Sequence, residues 1–153
     1  MWIPDKDFDP ELLPKRVNDE TYESVIIDPN TGLARGDKPW FTFFYWKECG
    51  ISQNFKPWFE IFSNKLQNIS NFAMIDVIES EKLKETFYIK TSPFFGLFKN
   101  GSFYQYDGAR SFDSIVEFIE KGHLNLKKDK VRPIPRVIGP LGLQLRYVER
   151  TYL

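Results

Sequence analysis

Cysteine is nearly absent: Cys49 is the only one in 153 residues, so no internal disulfide can form and cysteine usage leaves the redox compartment open. Histidine is equally scarce. His123 stands alone, without cysteine or acidic companions at ligand spacing, which argues against a metal site and for a solvated side chain. No run of eighteen apolar residues occurs, so no spanning helix is expected. The opening MWIPDKDFDPELLPKRV has neither the basic-then-apolar order of a signal peptide nor the Arg/Ser-rich, acid-poor composition of a transit peptide. Net charge is absent too, with 21 basic side chains against 21 acidic ones, so no global field recruits nucleic acid or an anionic membrane. The basic stretch LKKDKVR is a solvated charge run, and there is no internal repeat or low-complexity tract.

Aromatic side chains are abundant, at 17% of the chain with fifteen Phe, which suits a densely packed interior. The balanced charge is unevenly placed: residues 1–20 carry six acidic and three basic side chains, and residues 121–153 carry eight basic and two acidic ones. Residues 1–16, with three prolines and no periodicity, form an expected extended arm. Asn18 or Asp19 is placed to cap a short helix over ETYESVII, and residues 28–38 are loop. WFTFFYW (40–46) is too continuously apolar for a half-exposed strand and predicts a central one, covered on both faces. Beyond it, Ile51, Phe55, Trp58, Phe59, Phe62 and Leu66 recur at helical spacing. FAMIDVI (72–78) predicts a second buried strand and SEKLKETF (80–87) a short polar helix or turn. FFGLF, KNGS and FYQY predict a hairpin turning at Asn100-Gly101, and Ser111 caps a last helix, FDSIVEFIEKG. Strands alternating with helices and ending in a hairpin imply an α/β fold: a mixed sheet with helices on both faces.

Several of these segments carry a specific resemblance. KPWFTFFYWKECGIS resembles the strand and helix start that hold the redox motif of the thioredoxin-like domains of the protein disulfide isomerase family. YIKTSPFFGLFKNG is similar to that family's cis-proline segment and hairpin, and YDGARSFDSIVEFIE to its closing strand and helix. The resemblance implies a thioredoxin fold over residues 17–123, flanked by the arm 1–16 and a C-terminal arm 124–153. It implies that Cys49 stands at the attacking position, with Ser52 where the resolving cysteine belongs, and that Pro93 is cis. It places Arg110 where these isomerases carry an arginine able to swing toward the active site.

The departures decide what chemistry is left. A serine cannot resolve a mixed disulfide, so Cys49-Gly50-Ile51-Ser52 excludes dithiol turnover on stoichiometry. The resemblance puts a buried acid six residues before the cysteine as a proton relay, and Phe43 stands there. The usual tryptophan before the cysteine is Glu48, whose charge opposes a thiolate next door and points to an ordinary thiol. Lys47 and Arg110 favour the thiolate. Cys49, Ser52, Pro93 and Arg110 are therefore expected as vestiges of a catalytic site, with no cofactor and no metal. Ser92 is the position whose backbone would keep a peptide groove. Tyr45, Trp46 and Trp58 either cover the core or form a docking rim.

The leading expectation is a redox-inactive accessory subunit of a larger assembly, such as a peripheral subunit of a membrane-bound mitochondrial complex. The alternatives are a monothiol chaperone forming mixed disulfides through Cys49, in an endomembrane lumen if a signal peptide was removed, and an oxidoreductase that borrows a thiol. Partners are expected to be other protein subunits, held through both arms. Residues 124–153 contain three prolines and two glycines yet are rich in apolar side chains, and Ile134, Val137, Ile138, Leu141, Leu143, Leu145, Tyr147 and Tyr152 are the expected anchors. On that view, deleting residues 130–153 leaves the domain folded and abolishes co-purification with partners.

Overall fold

The computed structural model describes residues 10–137 and Gly139. In chain order the strands are β1 (Lys15–Arg16), β2 (Ile27–Asp28), β3 (Leu33–Ala34), β4 (Trp40–Tyr45), β5 (Asn71–Asp76), β6 (Phe94–Lys99), β7 (Ser102–Tyr106) and β8 (Val131–Pro133). The helices are α1 (Tyr22–Val25), α2 (Gly50–Lys65), α3 (Glu81–Thr86) and α4 (Phe112–Glu120). Six strands make one sheet in the order β1-β5-β4-β6-β7-β8, while β2 and β3 form a separate two-stranded ribbon. β1, β5 and β4 run parallel, and β6, β7 and β8 each pair antiparallel with their predecessor in the sheet. No helix among the described residues is long and apolar enough to cross a membrane.

All six side chains of β4 are buried, as an unbroken apolar run requires of a strand covered on both faces. Alternation along the strand divides them. Phe41, Phe43 and Tyr45 enter a cluster with Phe55, Phe59 and Phe62 of α2 and with Ile115, Phe118 and Ile119 of α4. Trp40 and Phe44 point the other way, toward Tyr22, Ile26, Leu83 and Phe87. The hairpin turns at Asn100, whose φ of 53° is the left-handed conformation that asparagine tolerates. Within it Gly96 lies under the Phe103 ring so closely that a β-carbon would fall 1.9 Å from Phe103 Cζ. Ser111 caps α4 as its sequence predicts, accepting the Ser114 N–H at 3.3 Å. Asp19 acts elsewhere: its carboxylate accepts the Lys82 and Leu83 N–H groups at the start of α3, at 3.2 and 2.9 Å.

Both expected arms differ from the structure. The second half of the 1–16 segment is part of the domain, with Lys15 and Arg16 in register with Ala73 and Met74 and with Leu12 O accepting the Ser63 hydroxyl at 2.8 Å. The edge of β5 offered unpaired backbone groups, and this segment satisfies them. At the other end, residues 131–133 form β8 on the edge of β7, placing Val131 opposite Tyr104 and Arg132 opposite Phe103. Arg132 donates to Thr86 O at 3.2 Å and stands 5.5 Å over the Phe87 ring. Ile134, expected to anchor a partner, is instead buried in the cluster around Tyr22, and its N–H donates to Gly101 O at 3.0 Å. Tyr22 donates its hydroxyl to Pro135 O at 2.8 Å, and Val137 packs against the same cluster. An apolar face and a strand edge left open by the domain itself account for both corrections. Ile138, Leu141, Leu143, Leu145, Tyr147 and Tyr152 lie outside the described residues.

His123 is a further correction. It is 1% exposed rather than solvated, with Nδ1 2.8 Å from Phe118 O, Nε2 3.1 Å from Lys99 Nζ and its ring edge-on to Tyr104. Burial, the largest cause, and then Lys99 hold it below the usual histidine pKa, against the Phe118 carbonyl. A neutral ring with Nδ1–H donating to Phe118 and Nε2 accepting from Lys99 satisfies every group.

Candidate functional site

β4 ends at Tyr45, and Trp46 to Glu48 turn the chain into α2. Cys49 is the N-cap of that helix, its backbone extended at φ −73° and ψ 117°, its N–H donating to Trp46 O and its carbonyl accepting the Gln53 N–H. The free N–H groups of the first turn thus face the sulfur, and the helix dipole favours negative charge there. The Ser92–Pro93 bond is cis and lies beside the sulfur: Cys49 Sγ donates to Ser92 O at 3.5 Å. The Ser92 hydroxyl accepts the Trp46 N–H at 3.0 Å and stands 2.6 Å from Ser52 Oγ. The turn from β4 into α2 and the loop before β6, distant from it in the chain, meet at one half-buried thiol.

The surroundings lower the Cys49 pKa to about 7. The Ser52 N–H is the largest cause and the Ser52 hydroxyl the next; burial opposes them, and the Ser92 hydroxyl and the Ile51 N–H add to the lowering. The thiol is therefore more acidic than the ordinary one expected from Glu48. Glu48 is exposed and does not figure among the groups acting on the sulfur. The residue that removes the second thiol, Ser52, is the one that most stabilises the first as thiolate.

Phe43 leaves no proton relay beneath the site. It is fully buried in an aromatic stack, with ring centroids 5.1 Å from Phe95, 5.2 Å from Phe59 and 5.5 Å from Phe55. Pro93 and Arg110 line one cleft of about 480 Å³ with Tyr88, Lys90, Tyr106 and Arg132. Arg110 is exposed there and does not figure among the groups acting on Cys49. The structure thus gathers Cys49, Ser52 and the Ser92–Pro93 bond and leaves Arg110 at the edge. The role of the Ser92 side chain, as opposed to its backbone, was not visible in the sequence, because nothing marks one serine before a proline as the partner of another forty residues earlier. Among the described residues no group of three His, Cys, Asp or Glu side chains gathers as for a metal ion.

The sheet, the flanking helices and the cis-proline loop beside a cysteine at a helix N-cap position define a thioredoxin fold. The thioredoxin family profile matches residues 14–121, and the chain belongs to that family. No curated protein matches it. Among solved structures it is similar to human ERp44 in a zinc-bound form, with 21% identity and a TM-score of 0.59 over 71% of this chain and 30% of that one. The Trx4 domain of ERdj5 is 20% identical with a TM-score of 0.60, over 74% of this chain and 96% of that one. The J-Trx1 fragment of ERdj5 is 18% identical with a TM-score of 0.61, over 76% of this chain and 52% of that one. The chain thus spans less than two thirds of ERp44 and of the J-Trx1 fragment, and what it shares with all three is the fold.

Proposed function

We propose that this protein is a monothiol thioredoxin-like protein that captures client proteins as mixed disulfides on Cys49 and does not resolve them itself. The observation that carries this reading is a half-buried thiol at a helix N-cap position, lowered to about 7 chiefly by the serine that replaces its resolving partner. The Cys49 thiolate attacks one sulfur of a client disulfide. The Cys49–client S–S bond forms as the client's own S–S bond breaks, and the second client sulfur leaves as a thiolate that takes a proton from water. No electrons are gained or lost overall. Release requires a thiol of the client, or a small-molecule thiol such as glutathione, to attack the mixed disulfide and return Cys49 as thiolate. An oxidising organellar lumen supplies such clients.

The test is intact-mass analysis of the purified protein mixed at neutral pH with oxidised glutathione and with a disulfide-bonded model protein. One adduct per chain is expected, with none on Cys49→Ala. An unmodified wild-type protein would overturn the reading.

A second reading, a redox-inactive accessory subunit of a larger assembly, is supported by apolar side chains left on the surface along α2, from Ile51 near the thiol to Trp58 and Phe112 at Phe62. Ile51, Trp58 and Phe112 are 54%, 40% and 36% exposed, and Trp58 and Phe112 flank the Phe62 ring at 6.5 and 5.5 Å. Co-purification of a stable complex that Cys49→Ala leaves intact favours this reading; its loss favours the first.

A further inference from the structure

We propose that Ser92 is a positioning residue of the thiol site: its hydroxyl, anchored by the Trp46 N–H at 3.0 Å and 2.6 Å from Ser52 Oγ, turns the Ser52 O–H onto Cys49 Sγ. The inference rests on the reading of Cys49 as a working thiolate. A backbone N–H can only donate, so the Trp46 bond occupies a lone pair of Ser92 Oγ and leaves the single Ser92 proton free to be given onward. The bond between the two hydroxyls holds one proton, from one serine or the other.

If Ser52 gave that proton to Ser92, its oxygen would turn lone pairs toward the sulfur, and only the Ser92 hydroxyl, the weaker of the two in its effect on Cys49, would be left to donate. If Ser92 gives it, the Ser52 proton is left for Cys49, and every dipole from Trp46 N–H through Ser92 and Ser52 points at the negative charge. Ser52 is only 1% exposed, so solvent offers it little substitute. Ser92 also serves the protonated state, because its carbonyl oxygen accepts the Cys49 S–H at 3.5 Å. One residue therefore meets both forms of the sulfur, the thiol through its carbonyl and the thiolate through its hydroxyl. The site then needs an oxygen at both positions: a hydroxyl at 92 has its orienting effect only while a hydroxyl stands at 52.

The test is the pH dependence of Cys49 alkylation by iodoacetamide, read below the midpoint, where the rate follows the thiolate fraction. Ser92→Ala is expected to slow alkylation at pH 6 about threefold and Ser52→Ala about tenfold, because the first only misorients and weakens the hydroxyl contact to the thiolate whereas the second removes it. Because the Ser92 hydroxyl also acts on the sulfur itself, the relay's further demand is that Ser92→Ala slow alkylation less in the Ser52→Ala background than in the wild type. Ser92→Thr retains the hydroxyl and is expected to keep the wild-type profile, whereas the isosteric Ser92→Val loses it, separating the hydroxyl from packing. An equal effect of Ser92→Ala in both backgrounds would mean that Ser92 acts on the sulfur independently and would overturn the relay, as would matching profiles for Ser92→Thr and Ser92→Val. These rates do not depend on client capture. A wild-type protein that shows the coupling but forms no mixed disulfide keeps the relay and refutes the capture reading.

Discussion

Truncating Ile134 to alanine measures how far the C-terminal strap belongs to the domain. The side chain is 9% exposed within the cluster that contains Tyr22, Ile26, Phe98 and Phe103, and its N–H is bonded to Gly101 O at 3.0 Å, which the substitution preserves. Truncating a fully buried Ile costs about 2–5 kcal/mol, and a site at the margin of a core that relaxes into the gap belongs near the low end, about 2 kcal/mol. For a domain of this size, each kcal/mol moves the melting temperature by about 3–5 °C, so Ile134→Ala is expected to lower it by about 6–10 °C in a far-UV circular dichroism melt. The nearby ion pair of Arg136 with Glu23, at 3.5 Å and well exposed on the arginine side, adds little to the seat of the strap. Deleting residues 130–153 removes β8, this side chain and the acceptor for the buried Tyr22 hydroxyl together, so the truncated domain melts lower still. That reverses what the sequence predicts for the same deletion. A shift below about 2 °C for Ile134→Ala would refute the reasoning and return residues 131–137 to the status of a free arm.

Three other outcomes follow from the geometry. Alkylation of Cys49 is expected to titrate with a midpoint near pH 7, leaving the sulfur about half ionised there against about 3% for a free thiol; a midpoint at or above about 8.5 refutes the account of the site. Because burial depresses the His123 pKa, the unfolded chain binds the extra proton first, so stability is full above about pH 6.5 and falls as the pH drops through the folded pKa. Urea midpoints at pH 7 and 5 are expected to differ more for the wild type than for His123→Asn, and equal differences would show that the ring is not buried neutral. Gly96→Ala forces the Phe103 ring from its place and is expected to cost about 1–3 kcal/mol in urea unfolding, and an unchanged midpoint would contradict the register of β6 on β7.

The central strand, the long helix, the hairpin and the last helix were legible from residue pattern alone, because each is set by forces between chain neighbours. The period of apolar side chains, an asparagine-glycine turn and a serine cap need no distant partner. The missing resolving thiol at Ser52 and the missing acid at Phe43 were equally legible, since stoichiometry and residue type are properties of the chain. What only the tertiary structure decided are matters of encounter. Asp19 caps α3 rather than α1, and His123 is buried against Lys99 and Tyr104. The strap at Ile134 closes on its own domain because that domain left a strand edge and an apolar face open beside it. The acidity of Cys49 belongs to this second group. Glu48, adjacent in the chain, predicts a sluggish thiol, but an exposed charge in high-dielectric water acts weakly, whereas the N–H and hydroxyl of Ser52, one turn on, lower the sulfur's pKa most. Sequence distance ranked the neighbours of that sulfur wrongly, and the fold ranked them by contact.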